Sequence, residues 1–158
     1  AYEIPKRDWS SDVCSSDLAL QEPEGIARIM APILEARAAR SRAVPVLLKL
    51  APELSGEALA LLLRSLEDRV DGWVLTNTLQ ADGGGWSGGP LTIPSGDRLR
   101  EARTLSARPI VSCGGILEAE EAKNRIHSGA ALLQVYAGYV YGGPDFPARL
   151  ARETASRN

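Results

Sequence analysis

Two segments constrain this chain more than any other. They are Pro109-Ile110-Val111-Ser112-Cys113-Gly114-Gly115 and Ala131-Leu132-Leu133-Gln134-Val135-Tyr136-Ala137-Gly138. Each reads as an apolar strand that runs into small residues and then into a helix-like stretch. Two such strand-to-helix turns in succession can aim several backbone N–H groups, and the positive ends of two helix dipoles, at one spot. That spot suits a phosphate. In a barrel of parallel strands the phosphate site is commonly built from the loops after the seventh and eighth strands.

The rest of the pattern agrees with a barrel. Ile26, Ile29, Met30, Ile33 and Leu34 form a helical stripe between Glu22 and about Arg40, with Pro32 expected to kink it or to divide it in two. A near-continuous apolar strand follows over 44–50. Leu59, Leu62, Leu63, Leu66 and Val70 make a second helical stripe, with Ser55 placed to cap it. A strand over 72–78, a Gly-rich loop over 82–89 and a helix from Ser95 to about Ser106 come next. Strand 109–113, helix 118–128 stopped by Gly129, strand 131–136 and a short helix near 145–155 complete the order. This is one helix and then four strand–helix units, the signature of a parallel sheet covered on both faces. Four units are half of an eight-strand barrel, for which about 250 residues is typical.

Composition narrows the function classes. The 158 residues are 44% hydrophobic with a formal net charge of −2 and dispersed basic residues, so one core is expected and no nucleic-acid partner. No apolar run approaches the roughly 20 residues of a membrane span. Cys14 and Cys113 are too few and too isolated for a disulfide framework or a zinc site, so no metal is expected and a cytoplasmic setting is the default. Residues 1–18 stand apart. Asp8-Trp9-Ser10-Ser11-Asp12-Val13-Cys14-Ser15-Ser16-Asp17-Leu18 has no apolar period and resembles the translation of a sequencing-adapter oligonucleotide. The segment is therefore read as non-native, with a Ser/Asp-rich surface loop as the alternative, leaving 19–158 as the evolved domain.

Polar or small residues close every strand. Lys49 is a cation in an apolar strand; it fits both a strand-end lysine reaching water and a partner for an anionic ligand or ring. Thr76-Asn77-Thr78 offers two hydroxyls and an amide, which suit the edge of an amide-containing ring but also a locally bonded turn. Gly83-Gly84-Gly85-Trp86-Ser87-Gly88-Gly89-Pro90 reads as an ordered loop approached closely by a ligand, or as a linker. His127, the sole histidine, reads as a helix-end residue, and Cys113 as a small buried one.

Five blocks in order resemble the class 2, quinone-linked dihydroorotate dehydrogenase family over about residues 20–153. They are Leu48-Lys49-Leu50-Ala51-Pro52-Glu53-Leu54, Asp71-Gly72 through Thr76-Asn77-Thr78, Gly85-Trp86-Ser87-Gly88-Gly89-Pro90-Leu91, Cys113-Gly114-Gly115-Ile116, and Gly129-Ala130 through Gln134-Val135-Tyr136-Ala137-Gly138 with Gly143-Pro144. The resemblance implies an α/β fold, strands five to eight of a (β/α)8 TIM barrel, with 19–158 a partial FMN-binding domain. It implies that Lys49 contacts the flavin ring, that Thr76, Gly88, Gly115, Tyr136 and Ala137 contact FMN, and that Asn77 and Thr78 hold the substrate. The implied reaction oxidises dihydroorotate to orotate in pyrimidine synthesis, with a quinone reoxidising the flavin. The family's catalytic base is a serine of the first half-barrel, so no catalytic residue is expected here and the chain alone should not turn over. A full-length parent is expected to be peripheral on the cytoplasmic face of the inner membrane. Leu79 stands where the family usually has a second Thr, Trp86 where it has Leu, and Ala137 where it has Ser or Thr; Ala137 can still act through its backbone N–H. Two other readings stay open: a different phosphate-binding barrel, such as another FMN oxidoreductase or a sugar-phosphate enzyme, and a non-catalytic, self-associating fragment.

Overall fold

The computed structural model describes residues 22–81 and 84–155. The segment 1–18, expected to be adapter-derived, lies outside them. Four parallel strands, β1 (Leu47–Leu50), β2 (Gly72–Leu75), β5 (Ile110–Cys113) and β6 (Leu132–Gln134), stand side by side in chain order. Between β2 and β5 the chain makes an antiparallel hairpin, β3 (Leu79–Ala81) with β4 (Gly84–Trp86), and a 3₁₀ turn, Gly89–Leu91. The helices are α1 (Pro23–Ala38), α2 (Gly56–Leu66), α3 (Thr92–Leu105), α4 (Ala119–His127), α5 (Ala137–Gly142) and α6 (Phe146–Ala155).

Local chemistry explains most of these boundaries. Pro23 opens α1, where its missing N–H costs nothing. The Ser55 hydroxyl accepts the Ala58 N–H at 3.2 Å and caps α2, whose Leu59, Leu62, Leu63 and Leu66 are all buried. Gly129, at φ +95°, ends α4. There the Gly129 N–H donates to the Ile126 carbonyl and the Ala130 N–H to the Arg125 carbonyl, the paired bonds of a glycine helix stop.

Some expectations are corrected. The helix α1 runs unbroken through Pro32, which lies on its exposed side. The first strand begins at Leu47, not at Val44, and the Gly-rich loop contains a short hairpin. Helix α3 begins at Thr92, three residues early, because Pro94 is tolerated in a first turn. The six-residue helix α5 was not anticipated.

The largest correction concerns how the sheet is covered. The strands never reverse their order, so right-handed crossovers carry α2, α3 and α4 to the same face. Successive helices accordingly pack against one another. The strand register places Leu50, Trp73, Leu75 and Ile110 on that face, where they are fully buried with the leucines of α2 and with Leu99. On the opposite face Leu47, Lys49, Leu132 and Gln134 are exposed and Val74 and Val111 half-buried. One layer of helices therefore covers one side only, as in the wall of a barrel. A second small cluster, Ile116, Ala122, Phe146 and Leu150, ties the last two units together.

Candidate functional site

A cavity of about 240 Å³ opens at the carboxyl ends of the four strands. Lys49, Thr76, Asn77, Thr78, Gly88, Gly115, Tyr136 and Ala137 all line it. These are the eight residues singled out from the sequence. They arrive from five separate segments of the chain.

Lys49 comes from the open face of β1 and is solvent-exposed. The chain leaving β2 stays tied to both neighbours: the Thr76 N–H donates to the Cys113 carbonyl at 2.8 Å and the Asn77 N–H to the Leu50 carbonyl at 2.9 Å. The Leu75–Thr76 peptide is cis. Thr76 is buried and its hydroxyl lies 2.6 Å from the Ser95 hydroxyl at the start of α3. Asn77 and Thr78 are half-buried at the cavity wall. Gly85 passes under Thr78 so closely that a Cβ there would stand 2.6 Å from the Thr78 Oγ1. The Glu53 carboxylate accepts the Gln80 N–H, pinning the hairpin to the loop after β1.

The two strand-to-helix junctions meet in space. Gly115 adopts φ +73°, and a Cβ on it would fall 2.3 Å from the backbone N and Cα of Thr92. No other residue fits there without displacing main chain. The Thr92 hydroxyl donates to the Gly115 carbonyl at 3.0 Å. From the second junction, Gly138 packs against the first: its added Cβ would sit 2.7 Å from the Ile116 carbonyl oxygen. A Cβ on Gly88, at φ +76°, would lie 3.2 Å from the Ala137 Cβ, which brings the hairpin's end to the same place. Ala137, Gly138 and Tyr139 open α5, so their N–H groups have no carbonyl one turn behind them. The cavity floor is thus a concave patch of main chain, without carboxylates among its lining residues.

Two residues that departed from the resembled pattern face each other: Leu79 pairs with Trp86 across the hairpin. Cys113 is a free, buried thiol on the cavity wall. His127 closes α4 on the exposed side, with Nδ1 2.8 Å from the Lys123 carbonyl oxygen. Sequence reasoning passed over Ser95, Ser112 and, above all, Arg125, whose guanidinium is 1% exposed behind the Gly114–Gly115 turn. The available signal was helical register: Arg125 stands three residues after the buried Ala122 and four after Glu121, on the inward side of α4.

The family model of dihydroorotate dehydrogenase matches residues 14–157. A dihydroorotate dehydrogenase (quinone) of Chelativorans sp. (strain BNC1) is 38% identical over 154 residues, covering 87% of this chain and 42% of that protein. The corresponding protein of Chromobacterium violaceum is 32% identical over 154 residues, covering 86% and 45%. Among solved structures, Eimeria tenella DHODH in complex with ferulenol superposes with a TM-score of 0.75 at 25% identity, over 86% of this chain and 45% of that one. The chain spans less than half the length of these relatives. With nearly all of its length matched by the family model and its parallel wall shared with a solved member, this chain belongs to the dihydroorotate dehydrogenase family.

Proposed function

We propose that the chain is the C-terminal half of an FMN-dependent dihydroorotate dehydrogenase (quinone), the part that grips the flavin's phosphate and one side of the substrate. Dihydroorotate would be oxidised to orotate in de novo pyrimidine synthesis. The observation that carries this reading is the close approach of the last two strand-to-helix junctions, where a Cβ on Gly115 would collide with the Thr92 backbone and one on Gly138 with the Ile116 carbonyl. Such a cradle of amides fits a phosphate, which helix starts and glycine turns bind through N–H groups. Gly88, Gly115, Tyr136 and Ala137 would hold the tail end of FMN, with Thr76 and Lys49 nearer the ring.

When bound, FMN supplies the two-electron acceptor for the hydride leaving the substrate. The residues of this chain bind and orient. Lys49 places a positive charge at one end of the cavity, where it favours a ligand carrying negative charge. The Asn77 amide offers a donor and an acceptor to the edge of a pyrimidine ring, and Thr78 stands beside it. The proton-abstracting serine, the quinone site and the membrane-facing surface are assigned to the part of the relatives that this chain does not span. Among the described residues no helix is long and apolar enough to cross a membrane.

The test is to mix the full chain with FMN, separate free flavin by gel filtration, and then add dihydroorotate. FMN should co-elute with the protein and keep its visible absorbance after substrate is added. A folded chain that elutes without flavin overturns the assignment, and rapid bleaching by dihydroorotate overturns the placement of the base.

A further inference from the structure

We propose that Arg125 is a positioning residue that aims the peptide N–H groups of the Gly114–Gly115 turn into the cavity from behind. Its ligand arm rests on the flavin reading above; its structural arm does not.

A guanidinium that is 1% exposed must find partners, because burying an unpaired charge is costly. Arg125 finds them around one turn. Its Nε donates to Glu121 on the same helix and Nη1 donates to the Ser112 hydroxyl at 3.0 Å. Its Nη2 donates to the Thr92 carbonyl at 2.6 Å and to the Gly114 carbonyl at 3.2 Å. With Glu121 neutralising it, the side chain is a brace and not an anion ligand.

Peptide geometry turns that brace into a pointing device. In a planar trans peptide the C=O and the following N–H lie on opposite sides. Holding the Gly114 carbonyl back towards Arg125 therefore directs the Gly115 N–H the other way, to the side of the cavity that Gly115 lines. The Thr92 hydroxyl does the same one peptide later: it donates to the Gly115 carbonyl, which sends the Ile116 N–H in the opposite direction. Arg125 holds Thr92 as well, through its carbonyl, so one side chain governs both peptides. Gly114 and Gly115 have φ of +99° and +73°, a region glycine enters without strain, and the hydrogen bonds from Arg125 and Thr92 help to fix their peptide planes there.

The experiment uses the full chain and its Arg125→Met and Arg125→Lys variants, with two readouts. Hydrogen exchange is followed in the ligand-free protein over residues 112–118 and, as an internal reference, over α2. FMN and riboflavin are then titrated, since riboflavin lacks the phosphate. Arg125→Met should speed exchange over 112–118 about tenfold, leave α2 unchanged, and weaken FMN about tenfold while riboflavin keeps its affinity, the scale typical of outer-shell supports. Arg125→Lys should fall between, because it keeps the charge with fewer directed donors. Unchanged exchange over 112–118, or an equal rise throughout the chain, overturns the inference. If the methionine variant does not fold, the lysine variant decides by the same exchange criterion. A wild-type chain that binds no FMN overturns the proposed function, while the exchange comparison still decides the role of Arg125.

Discussion

The two ends of the four-stranded sheet are built on opposite rules. At the amino ends of the strands, polar groups satisfy one another. The buried Trp73 indole N–H donates to the Ser106 hydroxyl at 2.8 Å, that hydroxyl donates to Glu67 at 2.6 Å, and Glu67 also accepts the Ala107 N–H. Nearby, Asp71 accepts from the Val46 N–H at 2.7 Å and pairs with Arg37 at 2.9 Å. At the carboxyl ends, glycines at positive φ and the first turn of α5 surround a cavity, and Tyr136 is 70% exposed at its rim. One end closes a structure; the other, on the function proposed above, keeps donors available for a ligand. Barrel enzymes divide stability and chemistry in this way.

Substitutions at the two ends should therefore separate binding from stability. The largest effect is expected for Gly115→Ala, which forces a Cβ into the Thr92 backbone at positive φ. It should abolish measurable FMN binding and cost on the order of 3 kcal/mol in denaturant unfolding. Trp73→Phe should cost about 2 kcal/mol through the lost hydrogen bond and the space left behind, with FMN affinity unaltered. Lys49→Ala should do the reverse, weakening FMN about tenfold while unfolding stays within about 0.5 kcal/mol of the parent, because the side chain is exposed and contributes charge to the cavity. A large loss of stability in Lys49→Ala, or of flavin affinity in Trp73→Phe, would blur the two ends into one.

The smallest effect concerns pH. The Val46 N–H is the largest influence on the Asp71 carboxyl; desolvation opposes it, and Arg37 and then Arg108 add to the lowering, so the carboxyl lies below its ordinary 3.8. A carboxyl lowered on folding stabilises the native state above its unfolded value, and that contribution disappears as pH falls through the folded value. Asp71→Asn should therefore cost about 1 kcal/mol at neutral pH. It should also flatten the acid limb of an unfolding-versus-pH curve, with no change in flavin binding.

The fold was legible where one physical signal dominated. The leucine stripe of α2, the Ser55 cap and the Gly129 stop each follow from local chemistry, and the structure shows all three. Helix α5 was hidden because its six residues carry no apolar period: Tyr139, Val140 and Tyr141 are all exposed. The open face of the sheet was hidden for a different reason. Val74, Val111 and Leu132 are apolar enough for full burial, yet nothing in a strand's composition says whether a helix or other strands cover it. At the cavity, glycines and strand-end polar groups announced themselves. Arg125 did not, since a charged residue on a helix is ordinarily a solvated one, and its burial emerges only when Thr92, Ser112 and Gly114 are brought around it.

The amides of the last two junctions are proposed to hold a phosphate. The most direct measurement is the pair of dissociation constants for FMN and riboflavin on the unmodified full chain, read by quenching of flavin fluorescence at matched ionic strength. FMN should bind saturably at one site and riboflavin more weakly by about tenfold or more, a difference of about 1.4 kcal/mol assignable to the phosphate. Equal affinities for the two flavins would contradict it.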